Sequence, residues 1–338
     1  MYRSRHVNLT SGVGYFKIDG ENQARLGLEG FVEELPTLPT KFDHVNAYAY
    51  ANVKPATNVT LTAGGSFDHL SGDLTGVGLG VDVGRDQFNP KVGVIWNPVP
   101  STTVRAAAFR TLKRTLVTNQ TLEPTQVAGF NQFYDDSDLT EGWRYGGAID
   151  QKFGKDVFGG VEYSRRDLTV PFIDLESNTQ EAPWNESLAR AYLFATPHRW
   201  LGLRAQYIFE RFERDEECEV GGARECLTAG FKNVKTQRVP LGIAFFHPSG
   251  LSASLTATYW DQEGRFEQLE AIEFAAGHSK FWLFDAALNF RLPKRFGFVS
   301  VGATNLFDKD FAYYEVDFDN PTIQPKRAFF AKVTLAVP

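Results

Sequence analysis

Val45-Asn46-Ala47-Tyr48-Ala49-Tyr50-Ala51-Asn52-Val53-Lys54 alternates small apolar residues with polar or amphipathic ones at a period of two. Successive side chains of a strand point to opposite faces, so this stretch predicts a strand with two chemically different sides. The pattern returns in Val59, Leu61, Ala63 and Phe67 against Thr60, Thr62, Ser66 and Asp68. It returns again in Leu251, Ala253, Leu255, Ala257 and Tyr259, and in Phe284, Ala286, Leu288 and Phe290. No segment sustains a 3.6-residue apolar stripe over three turns. The chain is predicted to be all-β.

Composition bounds what such strands build. The 338 residues are 43% hydrophobic and 22% charged, with 29 Phe, 12 Tyr and 6 Trp, too apolar and aromatic for a disordered chain. A net charge of −6 argues against nucleic acid as a partner. No run of apolar residues is long enough for a transmembrane helix. A transmembrane β-barrel remains open, because its alternation leaves the average hydropathy low. The start, Met1-Tyr2-Arg3-Ser4-Arg5-His6, has no apolar run behind it and does not read as a signal peptide.

The connections decide the architecture. Short links are expected at 19–22, 55–58, 98–101, 153–156, 197–200, 248–250 and 293–295, and long ones near 34–43, 70–87, 114–141, 168–186, 214–235, 262–279 and 307–325. Strict alternation puts every tight turn on one rim and every long loop on the other, the pattern of outer-membrane barrels. The expectation is a transmembrane up-and-down antiparallel β-barrel of about 14–16 strands, with fifteen counted here. Residues 1–338 are read as a single barrel domain. In this register the chain starts on the loop side with a strand at 5–17. Because bacterial barrels have even strand numbers, the sequence reads as the C-terminal part of a longer protein. A soluble sandwich or propeller is the alternative, but its inner faces would carry larger side chains and no mid-strand charges.

Those mid-strand charges are the expected functional face. Arg144, Asp150, Lys152, Glu162, Arg204, Glu210, Arg238, Asp285 and Arg291, together with Lys54 and Asp68, fall on the polar side of their strands and are predicted to line the lumen. There they would select solutes or brace the wall by cross-strand pairs. Trp96, Trp143, Trp200 and Tyr259 fall near predicted strand ends, as interface anchors do. The six histidines are scattered without metal-ligand spacing, and Gly76, Gly78, Gly80 and Gly84 read as a flexible loop rather than a phosphate cradle. No serine stands out as a nucleophile. No catalytic, cofactor or metal residues are assigned, and the chain is not read as an enzyme. Acidic groups at Asp135, Asp136, Asp138 and Glu141, at Asp215, Glu216, Glu217 and Glu219, and at Glu315, Asp317 and Asp319 read as solvated loops. Cys218 and Cys226 are either a loop disulfide or two idle thiols.

Near the end stands Gly302-Ala303-Thr304-Asn305-Leu306-Phe307-Asp308-Lys309-Asp310-Phe311, followed by Pro325, Arg327 and a last aromatic-bearing strand. The Asn305-Leu306-Phe307-Asp308-Lys309 box resembles the one preceding the final strand of TonB-dependent receptor barrels. Phe88-Asn89-Pro90-Lys91-Val92-Gly93-Val94-Ile95-Trp96-Asn97-Pro98 resembles an internal hairpin of the same barrels. The box reads structurally: Asn305 and Asp308 cap a strand end, and Phe307 and Phe311 suit a membrane interface. The resemblance implies a bacterial outer-membrane location with membrane lipid as partner. It also implies a transport or receptor role for a small solute such as a siderophore-type nutrient, and an energy-coupling protein as partner. It departs from the family in four ways: no plug domain is legible, no energy-coupling box is visible near the N-terminus, the length is short of 22 strands, and the end is Ala336-Val337-Pro338 rather than an aromatic residue. By size, the chain instead resembles a passive or polysaccharide-export porin, with an upstream periplasmic helical-repeat domain and a glycan solute. A soluble or surface β binding module is the third reading.

Overall fold

The structure is a computed structural model. It describes residues 1–22, 25–28, 31–34, 37–76, 79–113, 123–132, 136, 138–173, 179–214, 219–220, 223–224, 231–268, 271–314 and 326–336. One antiparallel sheet of fifteen strands follows chain order. Its strands are β1 (Tyr2–Arg3), β2 (Val7–Asn22), β3 (Leu38–Ala56), β4 (Val59–Gly76), β5 (Leu79–Val99), β6 (Thr102–Leu112), β7 (Glu141–Phe153) and β8 (Val157–Ile173). They continue as β9 (Thr179–His198), β10 (Leu201–Arg214), β11 (Phe231–Phe246), β12 (Leu251–Gln268), β13 (Ala271–Arg291), β14 (Gly297–Thr304) and β15 (Ala328–Leu335). Each pairs with its chain neighbours, and among the described residues β1 and β15 do not pair, so the sheet is curved but not closed.

The architecture is the predicted up-and-down one, but two parts of the predicted register are corrected. Residues 19–22 are not a turn: β2 runs through them, and its ladder with β3 extends from Val7↔Val53 to Asn22↔Leu38. The tight turn lies earlier, at 4–6, where the Ser4 N–H donates to the Val7 carbonyl at 2.9 Å. β2 therefore starts on the short-turn rim, not on the loop side, and β15 ends on that same rim. Four of the long connections, those expected near 70–87, 168–186, 214–235 and 262–279, are also shorter than predicted, because ladders run past the apolar stripe, whereas the first is displaced to 23–37. β4 and β5 stay paired to Gly76↔Leu79, and β12 and β13 to Gln268↔Ala271. Gly76, Gly80 and Gly84 are thus strand residues rather than a loop; Gly78 lies outside the described residues. Backbone pairing needs no apolar side chain, so the end of hydrophobic alternation does not mark the end of a strand.

The face that carries the apolar stripe is solvent-exposed. Val45, Leu61, Phe67, Val92, Ile149, Leu241, Leu255 and Leu288 are all exposed, whereas the polar face holds most of the buried residues. Cross-strand register orders this outer face into rows. Over β10–β13, the rows Leu203–Ile243–Leu255–Ala286 and Ala205–Leu241–Ala257–Phe284 are wholly apolar. Above them Tyr259 packs on Trp282 at 5.3 Å between ring centroids, and the next row, Phe209–Gln237–Asp261–Lys280, is polar at every position but Phe209. The same step from aromatic to charged residue occurs at Tyr15–Lys17, Phe67–His69 and Tyr163–Arg165. An apolar band topped by an aromatic girdle is what a bilayer requires of a barrel wall. On the turn side, Trp96 is exposed and Trp200 packs among His198, Phe245 and His247.

The rows make a depth-dependent prediction. Leu255→Arg, in the middle of the band, should destabilise the protein folded in lipid vesicles by about 2–4 kcal/mol, and Gln237→Arg, above the girdle, by about 0–1 kcal/mol. Urea titrations of both variants in the same vesicles measure this; equal losses would place the band elsewhere.

Candidate functional site

The inner face of β3–β7 is buried by a segment of the chain itself. Residues 123–132, between β6 and β7, lie against it and contain a short hairpin of Gln126–Val127 with Phe130–Asn131. Val127, Ala128 and Phe130 pack with Tyr50, Ala107, Phe109 and Ala148 in one apolar cluster. Two glycines make room. A Cβ at Gly93 would stand 2.7 Å from the Ala128 Cβ, and one at Gly146 would run into the Phe130 ring. Arg105 and Arg144 lie over the Phe130 ring at 5.3 and 6.0 Å.

Charge holds the other end of this segment. The Glu123 carboxylate accepts from the Tyr50 hydroxyl and from Ser66 Oγ at 3.3 Å, and lies 3.7 Å from Lys91 Nζ. Lys91 is fully buried and also donates to the Arg110 carbonyl at 2.9 Å. A buried ammonium stays charged only with such partners, so removing either member of the pair costs more than the pair contributes. Beside it, Asp68 accepts from His44 Nε2 at 2.9 Å, Asn46 Nδ2 at 2.8 Å and Asn89 Nδ2 at 2.8 Å. Gln87 continues the chain of bonds to Asn89 Oδ1 at 2.6 Å.

The inner face of β8–β13 is more open and equally polar. At its border with the covered half, Arg105 of β6 donates to Asp150 of β7 at 2.9 Å and to Glu162 of β8 at 3.2 Å, and Asp150 accepts from the Tyr192 hydroxyl of β9. Arg190 lies over Tyr192 at 4.9 Å and donates to Gln206 at 2.9 Å. Arg204 reaches across Gly242 to Thr256 at 2.9 Å, and Arg238 lies over Trp260 at 5.0 Å.

The residues singled out from the sequence are thus scattered over this face. Asp150 and Glu162 meet on Arg105. Arg144 donates to Ser164 at 2.9 Å beside the hairpin, and Asp285 accepts the Asn305 N–H at 2.9 Å. Glu210 stands opposite Leu188 and Thr236 without an ion pair among the described residues. Lys54, Lys152 and Arg291 sit exposed near the turn rim, away from the others. Arg105, Lys91, Tyr50, Arg190 and Glu123 were not singled out. The first four share the polar parity of their strands, which is the signal that could have found them. Glu123 lies between strands and carries no such signal. Cys218, Cys226, Asp135, Asp215, Glu216, Glu217, Glu315, Asp317 and Asp319 lie outside the described residues, as does the side chain of Glu219. Of the first acidic group, Asp136 pairs with Arg166 and Asp138 with Lys113.

The Asn305–Lys309 box is a turn. Asn305 and Asp308 take positive φ of 46° and 54°, where Asn and Asp are tolerated best after glycine. The Asn305 side chain closes the turn on the Lys309 backbone at 2.9 and 2.8 Å, and Asp308 accepts the Arg327 N–H at 3.1 Å. Phe307 is exposed against Phe284 on the outer face. Phe311 is not at the membrane interface: it stacks on Phe281 at 4.4 Å, in the cluster with Trp260 and Tyr313. The turn at 305–308 carries the chain over the rim, so Phe311 returns on the inner side.

The family profile described as "TonB dependent receptor-like, beta-barrel" matches residues 3–140. No curated protein sequence matches the chain. Among solved structures it is similar to the FrpB iron transporter from Neisseria meningitidis, at TM-score 0.67 and 11% identity over 97% of this chain and 52% of that one. It is similar to FpvA of P. aeruginosa, solved with pyoverdines, at TM-score 0.66 and 13% identity over 98% and 46%. It is also similar to the outer membrane transporter YddB from Escherichia coli, at TM-score 0.63 and 14% identity over 99% and 52%. The chain therefore has the β-barrel fold of TonB-dependent receptors, and it spans about half the length of the structures it matches.

Two substitutions test the buried segment. Phe130→Ala should cost about 3–5 kcal/mol as a large-to-small change in a packed cluster, and Glu123→Gln about 3–5 kcal/mol by leaving Lys91 without its carboxylate. Either should release the hairpin locally. A cysteine placed at Ala128 should then react with a water-soluble maleimide faster than in the parent, while the outer-face ladder stays intact by circular dichroism.

Proposed function

We propose that this chain is wall of a bacterial outer-membrane transporter of the TonB-dependent type, and that it handles a small solute rather than catalysing a reaction. The observation that carries this reading is the sorting of the sheet: an apolar, girdled outer face set against an inner face of charged and hydrogen-bonded side chains. A soluble β protein would leave the outer face exposed to water, against the limits on exposed apolar patches. Residues 1–338 act as one unit of wall. Two open edges cannot stand in hydrocarbon, where each unpaired backbone group costs several kcal/mol. The edges of β2 and β15 are therefore closed by further strands.

The neighbours carry iron and pyoverdine in their names, and we extend to this chain the class they represent: a small metal-chelate or comparable nutrient complex. With the inner face of β3–β7 covered by residues 123–132, the solute would meet the inner face of β8–β13, where Arg190, Arg204, Glu210 and Arg238 lie. An energy-coupling protein would be the periplasmic partner.

The reading is tested in the native bacterium. The protein should fractionate with the outer membrane and migrate faster on gels unheated than boiled. Deletion of its gene should slow uptake of one class of radiolabelled ferric chelate, and Arg204→Glu with Arg238→Glu should lower uptake at unchanged protein level. A protein found in the soluble fraction, with mobility indifferent to heating, would sink the proposal.

A further inference from the structure

Residues 123–132 are held to the wall by side chains. Their own backbone pairs internally, at Val127↔Phe130 and Gln126↔Asn131, and the Gln132 N–H donates to the Thr125 carbonyl at 2.9 Å. Among the described residues, no backbone–backbone hydrogen bond joins this segment to a wall strand. The segment is a compact unit seated on the sheet by the Glu123 carboxylate at one end and the Phe130 ring at the other.

Each of these groups enters a recess that the wall builds from its own strands. Register places Tyr50 of β3, Gly64 of β4, Lys91 of β5, Phe109 of β6 and Arg144 of β7 in one inner row. At one end of the row the carboxylate meets two hydroxyls and an ammonium, from Tyr50, Ser66 and Lys91. Gly64 opens this recess, since a Cβ there would stand 2.9 Å from the Tyr50 ring. At the other end the Phe130 ring fills a slot over Gly146, with the Arg105 and Arg144 guanidiniums 5.3 and 6.0 Å from its centre. Lys91 and Gly146 stand two strands apart, so the recesses are separated by about 10 Å at ~4.8 Å per strand. Convergent donors for an anion beside a slot for a ring under cations are the elements of a ligand site. Here a connection of the same chain fills both.

We propose that residues 123–132 are a built-in competitor: they occupy a site for a solute bearing a carboxylate and an aryl ring about 10 Å apart, which binds by taking the places of Glu123 and Phe130 as the hairpin lifts. The inference rests on the inner face being the solute side of the wall, as proposed above, and adds a second site to the open face of β8–β13. The exchange leaves no buried charge alone, because the incoming carboxylate replaces Glu123 on Lys91, and a stranded ammonium is the costly outcome. The ring likewise replaces a ring between the same two guanidiniums. Apparent affinity is then the intrinsic affinity reduced by the fraction of molecules whose hairpin is lifted.

The test uses the full chain folded in lipid nanodiscs, with binding read by equilibrium dialysis against empty nanodiscs. The probe is 6-phenylhexanoate, whose extended length matches the two recesses; phenylacetate is too short, and 6-phenylhexanamide lacks the charge. The proposal expects the matched acid to bind roughly tenfold more tightly than either control. It expects Glu123→Gln to tighten that binding by roughly tenfold, because the weakened hairpin lifts more often, and Lys91→Met to erase the preference for acid over amide. If Lys91→Met does not fold, the length and charge series on the parent and on Glu123→Gln still decides. A hairpin with a purely structural role predicts the opposite, binding lost or unchanged in Glu123→Gln, and that result overturns the proposal. In a Cys218→Ser, Cys226→Ser background, Val127→Cys should react faster with a water-soluble maleimide once the probe is bound. Unchanged reactivity at saturating probe places the ligand elsewhere on the wall and also overturns the proposal. Heat-dependent gel mobility of the same preparation separates either failure from failure of the membrane-wall reading, which would remove the mobility shift itself.

Discussion

Everything in this chain depends on one constraint: hydrocarbon supplies no hydrogen-bond partner for a peptide group. A sheet meets it by pairing every N–H and C=O with a neighbouring strand. The ladders here are long and nearly unbroken, as in the pairing of β8 with β9 from Val157↔Ala195 to Ile173↔Thr179. Because the backbone is satisfied by pairing alone, side chains are released to serve two solvents. One parity becomes Ala, Val, Leu and aromatic; the other becomes Arg, Asp, Glu, Asn and Thr. A water-soluble sheet of this size would invert the arrangement and bury its apolar parity.

That inversion changes what the buried residues mean. In a soluble fold a buried Lys91, Asp68 or Glu123 would be an anomaly that calls for a catalytic explanation. Here the interior is the polar side, and burial is produced locally by residues 123–132 settling onto it. Lys91 is enclosed because Glu123 and the Arg110 carbonyl arrive to satisfy it. The hairpin in turn is seated by Val127 and Phe130, which need Gly93 and Gly146 to be small. Apolar contact and charge pairing therefore act on the same short segment from its two ends, and neither alone accounts for its position.

How much of this was legible in the sequence follows from the same physics. Period-two alternation is local, so the strands over 45–54, 59–68, 251–259 and 284–290 and their outward faces could be read directly. Tight turns at 57–58, 100–101 and 247–250 are local as well, marked by Pro, Asn, Ser and Gly. Strand ends on the loop side are not, because the ladder persists where alternation stops: Gly76 and Leu79 pair although nothing in Gly-Val-Gly-Leu announces it. The misplaced turn at 19–22 has a similar origin, since Asp19-Gly20-Glu21-Asn22 has turn composition yet is held in the ladder by 38–41 of β3. The site was legible only by parity. Asp150 and Glu162 could be placed on the inner face, but not their meeting on Arg105, which depends on register across β6, β7 and β8. Glu123 lies in a connection, and its place against Lys91 is fixed by contacts from three strands, through Tyr50 of β3, Ser66 of β4 and Lys91 of β5.

Register is therefore the quantity that converts this sequence into a surface. A one-residue slip of β10 against β11 would carry Arg204 from the inner face into the lipid band and Leu203 from the band inward. The cost of an arginine at mid-band, about 2–4 kcal/mol, opposes such a slip of β10, with Leu203 losing its lipid contact at the same time; Arg190 and Arg238, at the height of the girdle, oppose slips of β9 and β11 by the smaller cost of an arginine near the interface. The mid-strand arginines thus serve the fold whatever solute they meet: they fix which side of the wall each strand may show. This is why a guanidinium lying on an aromatic ring, as Arg238 lies on Trp260, is affordable here without a carboxylate. The Trp260 ring covers one side of the guanidinium at 5.0 Å, and a slip that turned it outward would set it among the girdle aromatics instead.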